Sequence, residues 1–465
     1  MPQHNTRKLL FMATLRRFSS VGLVTLLLLF ARTPYALAQS ESSQKQPPNI
    51  LLIISDDHGW PDYHWAGHPH IKTPHIDQLA REGMVFRRGY VPDSLCRPSL
   101  ATILTGLYPR QHQFVGNDPP LPASLKGLRG SKPYQHPDYM AVREKYIAKI
   151  DQMATLPRLL KPLGYRTFQS GKWWEGSYQR GGFDEGMTHG DMKRGGRHGD
   201  AGLAIGREGI EPIDQFIGKC TKDQTPFFVW YAPMMPHTPH DPPDRLLRKY
   251  LPLTPHAPIA KYWAMCEWFD ETVGALRQSL TSHSVADQTL IVYVCDNGWI
   301  NDPNSSQYAP KSKRSPNEGG CRTPILFHQP SAIPAGISDQ LASSIDLVPT
   351  ILSHLGQSVP KDLPGIDLLA PQQRDARTSI FGEIFQHDIV SMENPVDSLM
   401  HRWVIEGEWK LIEDYPDTSS VQLYHVTEDP EETAECSGQH PERVARLKRL
   451  LLEHWDPSEG VASDE

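Results

Sequence analysis

The sequence predicts an α/β protein: a largely parallel sheet with helices on both faces, followed by a smaller α+β region. Three observations carry this. Short, continuously apolar runs recur from Asn49 to about Leu369, as strands buried on both faces require. Helical patterns separate those runs, the alternation that lays helices over a sheet. After Leu369 the texture changes to short alternating segments and one final helix.

Asn49–Ser55 (NILLIIS) is the first strand, an apolar run that stops at two acids. Further strands are expected at Arg166–Ser170, Pro226–Trp230, Thr289–Val294 and Pro324–Phe327. Helices are expected at His75–Glu82, Pro98–Thr105, Gln152–Lys161, Lys261–Leu280 and Asp346–Leu355. Beyond Leu369, Thr378–Ile384, His401–Ile405, Trp409–Ile412 and Gln422–His425 suit a small antiparallel sheet, capped by a helix over Glu442–His454. The expected divisions are 1–38, 39–48 (a polar linker), 49–369 and 370–465, the last ending in a polar tail from Ser458.

Composition excludes several classes. With 38% hydrophobic and 22% charged residues in 465, the chain is neither collagen-like, coiled-coil nor wholly disordered. Its 42 prolines point to long loops over a compact scaffold. A net charge of −7 and no basic run exclude nucleic acid as a partner. Arg7, Lys8, Arg16 and Arg17 precede the apolar run Val21–Ala31, and Ala36-Leu37-Ala38 follows. That is the pattern of a secretory signal peptide cut after Ala38. The run is too short for the roughly 20 residues that span a bilayer, so no stable membrane anchor is expected. The expected location is secreted or periplasmic. Residues 1–38 hold five basic and no acidic side chains, so the mature chain has 42 against 54, or −12.

In open α/β sheets, ligands bind beyond the carboxyl ends of the strands. Asp56-Asp57 and Asp296-Asn297 stand at two such ends. They form a hard oxygen set suited to Ca²⁺ or Mg²⁺ rather than zinc, although polar residues also end strands for no chemical reason. Cys96-Arg97-Pro98-Ser99-Leu100 is the third element. Pro98 suits a first helical position, which puts Cys96 just ahead of a helix N-terminus. There, free amides and the dipole favour anions and lower a thiol's pKa. The other reading is a small buried hydrophobe.

These residues and their order resemble the type I sulfatases. The matching motifs are Asp56-Asp57; Thr73-Pro74-His75-Ile76-Asp77; Cys96-x-Pro98-Ser99; Leu104-Thr105-Gly106; Gly171-Lys172-Trp173; Pro236-His237-x-Pro239; Asp296-Asn297-Gly298; Lys313 with Glu318-Gly319-Gly320-x-Arg322; Ile345-Asp346; and Asp429-Pro430-x-Glu432. The resemblance implies an alkaline-phosphatase-like fold, with a mixed, mostly parallel sheet, and an arylsulfatase-like hydrolase of sulfate monoesters. It implies that Cys96 is oxidised to formylglycine by a maturase, and that Asp56, Asp57, Asp296, Asn297 and residue 96 hold Ca²⁺ or Mg²⁺. It further implies that Lys172, His237 and Lys313 bind the sulfate and assist the leaving group. Such cations fixed in advance suit an anionic tetrahedral centre.

Two positions depart from the family pattern. Leu100 stands where C-x-P-S-R has arginine, and Trp174 stands where Lys-Trp-His has the histidine that frees the sulfate. His58 and His112 are candidate substitutes by proximity in sequence. Three functions compete. The first is hydrolysis of sulfate esters, on a small molecule or a glycan. The second is phosphoester or phosphonate hydrolysis in the same superfamily, and the third is non-catalytic glycan binding. Asn297 favours one metal over the two of phosphatases, which need further histidine and aspartate ligands. Trp60, Trp65, Trp173 and Trp174 suit either sugar stacking or core packing. Segments 118–139, 186–201 and 386–398 are the candidate specificity loops. Converting Cys96 leaves five thiols, Cys220, Cys266, Cys295, Cys321 and Cys436, so at least one is free or pairs between chains.

Overall fold

NILLIIS forms the central strand β1 (Asn49–Ser55) of the computed structural model, which describes residues 46–128, 133–330 and 332–458. Its side chains alternate between two cores. Ile50, Leu52 and Ile54 join Leu100, Ile103 and Leu104 of the helix Cys96–Thr105. Leu51 and Ile53 join Phe216 of the helix Glu211–Lys222, and Phe269 and Val273 of the helix Ala257–Ser282. Burial on both faces is why the run shows no polar alternation.

The chain continues with β2 (Met84–Phe86), β3 (Gly89–Tyr90), β4 (Arg166–Gly171), β5 (Glu185–Gly186), β6 (Phe227–Ala232), β7 (Thr289–Cys295), β8 (Ile325–His328), β9 (Gly336–Ser338) and β10 (Ala342–Ser343). β3 and β10 pair with each other, and the rest make one sheet in the order β5-β4-β6-β1-β7-β8-β2-β9. β4, β6, β1 and β7 are adjacent and parallel, so their carboxyl ends share one edge. β8 runs antiparallel to both β7 and β2, which makes the sheet mixed.

β11 (Ser379–Phe385), β12 (Leu399–Glu406), β13 (Trp409–Asp414) and β14 (Val421–His425) form the antiparallel C-terminal sheet. The helix Pro441–His454 packs Leu447 and Leu451 on its Val404, Leu411 and Leu423. Buried charge ties this sheet to β3 and to the helix Glu318–Cys321. Lys410 on β13 lies 3.0 Å from Glu318 and 3.3 Å from Glu432, and the Tyr90 hydroxyl donates to Glu318. Glu318 and Glu432, both motif residues, thus serve the fold.

The structure corrects the helix expected over Gln152–Lys161: only Leu156–Leu160 is α-helical, flanked by 3₁₀ segments. Pro157 lacks an amide proton and settles in the first turn, and Pro162 interrupts the next. The helix Pro137–Ile147 overlaps a segment expected as loop. Its buried face carries Tyr139 and Arg143 beside Tyr146 and Ile147, which hides the apolar pattern. The signal peptide over 1–38 lies outside the described residues, as do most of the linker and nearly all of the polar tail.

Candidate active site

Four adjacent strands each deliver site residues at their carboxyl ends. β1 leads to Asp56 and Asp57, β4 to Lys172, β6 to His237, and β7 to Asp296 and Asn297. The Asp56 amide donates to the Met235 carbonyl at 2.9 Å, drawing the His237 turn onto the end of β1. Asp57 has a left-handed φ of 58°, a conformation that non-glycine residues hold mainly where surroundings enforce it. Cys96 opens the helix Cys96–Thr105. It is the first helical residue and Pro98 the third, so the helix begins two residues earlier than Pro98 suggested. Lys313 arrives on a loop pinned beside Cys96: the Arg314 amide donates to the Ser94 carbonyl at 2.9 Å.

Gly171 sets the direction of Lys172. Its φ is +83°, and a Cβ there would lie 1.9 Å from the Ala232 carbonyl oxygen. Gly171→Ala is expected to cost at least about 2 kcal/mol of stability through backbone strain and that clash. A lowered thermal midpoint together with reduced turnover checks this; a wild-type midpoint contradicts it.

The cations converge on one atom. Lys172 Nζ lies 3.0 Å and Lys313 Nζ 3.1 Å from Cys96 Sγ. Lys172 also bonds Asp56 at 2.7 Å, and Lys313 bonds Asp57 at 2.5 Å. Asn297 Nδ2 donates to Asp57 at 2.7 Å, and His237 Nε2 lies 3.4 Å from that carboxylate. Burial pushes the Asp57 carboxyl up, but Lys313, His237 and Lys172 outweigh it and hold it below the usual carboxylate range. Asp296 moves the other way, raised by burial and by Asp56. The Cys96 thiol corrects the expectation from the helix dipole. Burial pushes it up to about 11 against the pull of Lys172 and Lys313, so it is protonated at neutral pH.

The residues present fit a hard divalent cation. Asp56 Oδ2, Asp57 Oδ2, Asp296 Oδ2 and Asn297 Oδ1 are all buried with no hydrogen-bond partner among the described residues. Buried oxygens are rarely left unpaired, and carboxylate and amide oxygens are calcium's ligands. Donor atoms of Asp56, Asp57, Cys96 and His237 lie within 4.8 Å of one another. His237 is nearer than Asp296 by that measure. However, its Nδ1 already donates to the Thr238 carbonyl at 2.6 Å, and the orphaned Asp296 oxygen makes the better ligand.

A sulfatase family profile matches residues 48–357. The chain belongs to the sulfatase family. A second profile, N-sulphoglucosamine sulphohydrolase C-terminal, matches residues 309–454. The dog N-acetylgalactosamine-6-sulfatase is 30% identical over 366 residues, which are 70% of this chain and 66% of that enzyme. The human N-acetylgalactosamine-6-sulfatase is 26% identical, over 89% of this chain and 87% of its own length. Among solved structures, Ps i-CgsB in complex with k-i-k-neocarrahexaose superimposes with a TM-score of 0.70 at 24% identity, covering 89% of this chain and 94% of that one.

The two departures from the sulfatase pattern meet in space. Leu100 and Trp174 line one void of about 10 Å³, together with Trp173 and Leu104. An apolar pair therefore occupies the ground of the arginine and histidine. Arg97 is committed elsewhere than Cys96: it forms a two-pronged pair with buried Glu175, at 2.8 and 2.6 Å, against the rings of Phe114 and Tyr146. That pair clamps the Lys172 segment to the helix Cys96–Thr105. Sequence reasoning missed Glu175, which carries no motif signal.

Neither proposed histidine substitute bonds Cys96. His58 Nε2 bonds the Asp62 carbonyl at 3.0 Å, and its ring stacks on Tyr63. His112 Nδ1 accepts from the Phe114 amide at 3.1 Å, and its Nε2 faces the Thr102 hydroxyl at 3.1 Å. Burial holds His112 down to about 3. The unfolded chain therefore binds the extra proton between pH 6.5 and 3, and stability falls as pH drops through that window. Relative to neutral pH, His112 removes about 2 kcal/mol at pH 5. His112→Gln should thus show a smaller loss of thermal midpoint from pH 7 to pH 5 than wild type; an equal loss contradicts this.

Described residues of the three candidate specificity segments meet beside the helix Cys96–Thr105. Asp118 pairs with Arg197 and bridges Asp388, while the Asn117 amide donates to the His387 carbonyl and Asn117 Oδ1 accepts from the Arg97 amide. Trp173 is core, edge-on to Phe183 and Trp230. Trp60 and Trp65 line a separate cleft of about 530 Å³ with Arg87, Arg88 and Arg322. All six cysteines are unpaired.

Proposed function

We propose that this protein hydrolyses sulfate monoesters of a saccharide, with residue 96 as formylglycine beside a Ca²⁺ held by Asp56, Asp57, Asp296 and Asn297. The strongest support is that Lys172 and Lys313 both reach Cys96 Sγ while Asp56, Asp57, Asp296 and Asn297, at neighbouring strand ends, each keep one buried oxygen without a hydrogen-bond partner among the described residues. A bound calcium would polarise a sulfate oxygen and orient the nucleophile. Formylglycine would supply a hydrated aldehyde, a role the protonated Cys96 thiol is poorly suited to fill itself.

The chain's own groups do the rest. Lys172 and Lys313 place two cations on the nucleophile atom, where the sulfate oxygens would sit. His237 is 21% exposed at its side chain, which puts it on the solvent side of the cluster. The Thr238 carbonyl holds its Nδ1 proton, so a second proton taken up on Nε2, which faces Asp57, would pass to the leaving alkoxide and leave the ring neutral. With the mature chain at −12, substrate capture relies on this local charge rather than on global attraction. The saccharide assignment draws on the relatives' names.

Export through residues 1–38, a maturase that converts Cys96, and division into a catalytic part (49–369) and a C-terminal part (370–465) belong to the same proposal. Among the described residues no helix is long and apolar enough to cross a membrane. Parallel assays of calcium-loaded protein on an aryl sulfate and an aryl phosphate test the reading. Preference for the sulfate is expected. Preference for the phosphate would favour a phosphoester hydrolase, and no turnover of either would favour a glycan-binding role.

A further inference from the structure

Position 174 carries no imidazole, and another segment packs one against the Trp174 side chain. The Trp173 amide donates to the His198 carbonyl at 3.0 Å. Arg143 Nη2 donates to the Trp174 carbonyl at 3.1 Å, to the Gly196 carbonyl at 3.1 Å and to the Arg197 carbonyl at 3.2 Å. Backbone 196–198 is therefore fixed against backbone 173–174, directly after Lys172. The His198 ring lies over the Trp174 indole, 5.3 Å between centroids and tilted by 31°. Leu100 shares a void with that indole, and the Arg197 guanidinium also lies over the ring, 4.9 Å from its centroid.

We infer that His198 supplies the proton-accepting imidazole that position 174 lacks. The inference rests on the sulfate-ester reading of the site. His198 would take the proton of the hydroxyl borne by residue 96. As it does so, the bond from that carbon to the sulfate oxygen breaks, a carbon–oxygen double bond forms, and the electron pair leaves with sulfate. Water then re-hydrates the aldehyde.

Three further observations agree. His198 Nδ1 is buried with no hydrogen-bond partner among the described residues; His58 Nδ1 is too, but the His58 ring is held by the Asp62 carbonyl and stacked on Tyr63, and His112 is engaged through both ring nitrogens. Burial first, then the cations Lys172, Arg197 and His237, keep the ring unprotonated, and Asp56 acts in the opposite sense. Those neighbours include three members of the site. An anionic sulfate arriving beside them offsets the repulsion and raises the ring's proton affinity. His240 is the rival, since both its ring nitrogens are buried without partners. However, it packs against Tyr262 and Trp299, and the site charges that act on it are His237 and Asp57 rather than Lys172.

His198→Gln, His240→Gln and the double variant His198→Gln/Trp174→His test the inference. His198→Gln should lower kcat on an aryl sulfate by about 10²-fold or more, with KM little changed and an unaltered thermal midpoint. The double variant should recover part of that loss. An independent readout uses unmodified Cys96→Ala protein with labelled histidine. Inorganic sulfate should shift one ring resonance, identified as His198 by its absence from the Cys96→Ala/His198→Gln protein. Wild-type kcat in His198→Gln, an unmoved His198 resonance at saturating sulfate, or a large loss confined to His240→Gln would each overturn the assignment. Failure of all variants and wild type alike on sulfate esters would instead overturn the functional reading beneath it.

Discussion

Replacing Cys96 with alanine lowers turnover of a sulfate ester by about 10⁴- to 10⁶-fold, the loss expected when a covalent nucleophile is removed. Stability should barely change. Cys96 is 2% exposed and opens a fully buried helix, so alanine keeps the Cβ and the helical backbone. Lys172 stays bonded to Asp56, and Lys313 to Asp57, so no buried charge loses its main partner. Activity and stability therefore separate, unlike in Gly171→Ala, where both fall. Wild-type melting with abolished turnover is the expected pair of readings; turnover within tenfold of wild type would remove position 96 from the chemistry.

Asp57→Asn should have the second largest effect, and on both quantities. The backbone tolerates the change, because asparagine accepts the left-handed φ of 58° that Asp57 adopts. The charge does not. Lys313 loses its 2.5 Å partner inside the protein, and breaking one side of a buried pair costs about 3–5 kcal/mol. The proposed site loses a hard anionic ligand as well, so turnover should fall on the order of 10³-fold. In wild type, calcium at a hundredfold excess over its Kd should stabilise the fold by about 2.7 kcal/mol, and a chelator should remove that gain. Thermal melts with calcium and with chelator check this. A calcium-induced rise in Asp57→Asn as large as in wild type would contradict the ligand assignment.

Asp56, Asp57, Asp296 and Asn297 were legible because the apolar runs before them stop abruptly, and a parallel sheet brings such ends together. The strands β1, β6, β7 and β8 were legible for the same reason, each being buried on both faces, whereas β4 (RTFQSG) is buried with Phe168 as its one large apolar side chain. Lys172 and Lys313 were not legible from spacing, since a lone lysine is ordinarily a solvated surface charge; only the order of motifs singled them out. The Cys96 thiol shows what one-dimensional reading misses. Its place at a helix N-terminus is visible in the residues, but the burial that outweighs the dipole depends on loops far away in the chain. Arg97–Glu175 and Trp174–His198 are likewise pairings across long sequence distances. His58 and His112 were singled out by closeness in sequence, yet the fold turns both toward other partners.

Mass spectrometry of the peptide holding residue 96, taken from protein that turns over a sulfate ester, tests the proposed chemistry most directly. An aldehyde in place of the thiol is expected, because a buried thiol protonated up to about pH 11 makes a poor nucleophile at neutral pH. A fully unmodified cysteine in protein with undiminished turnover would contradict the formylglycine mechanism.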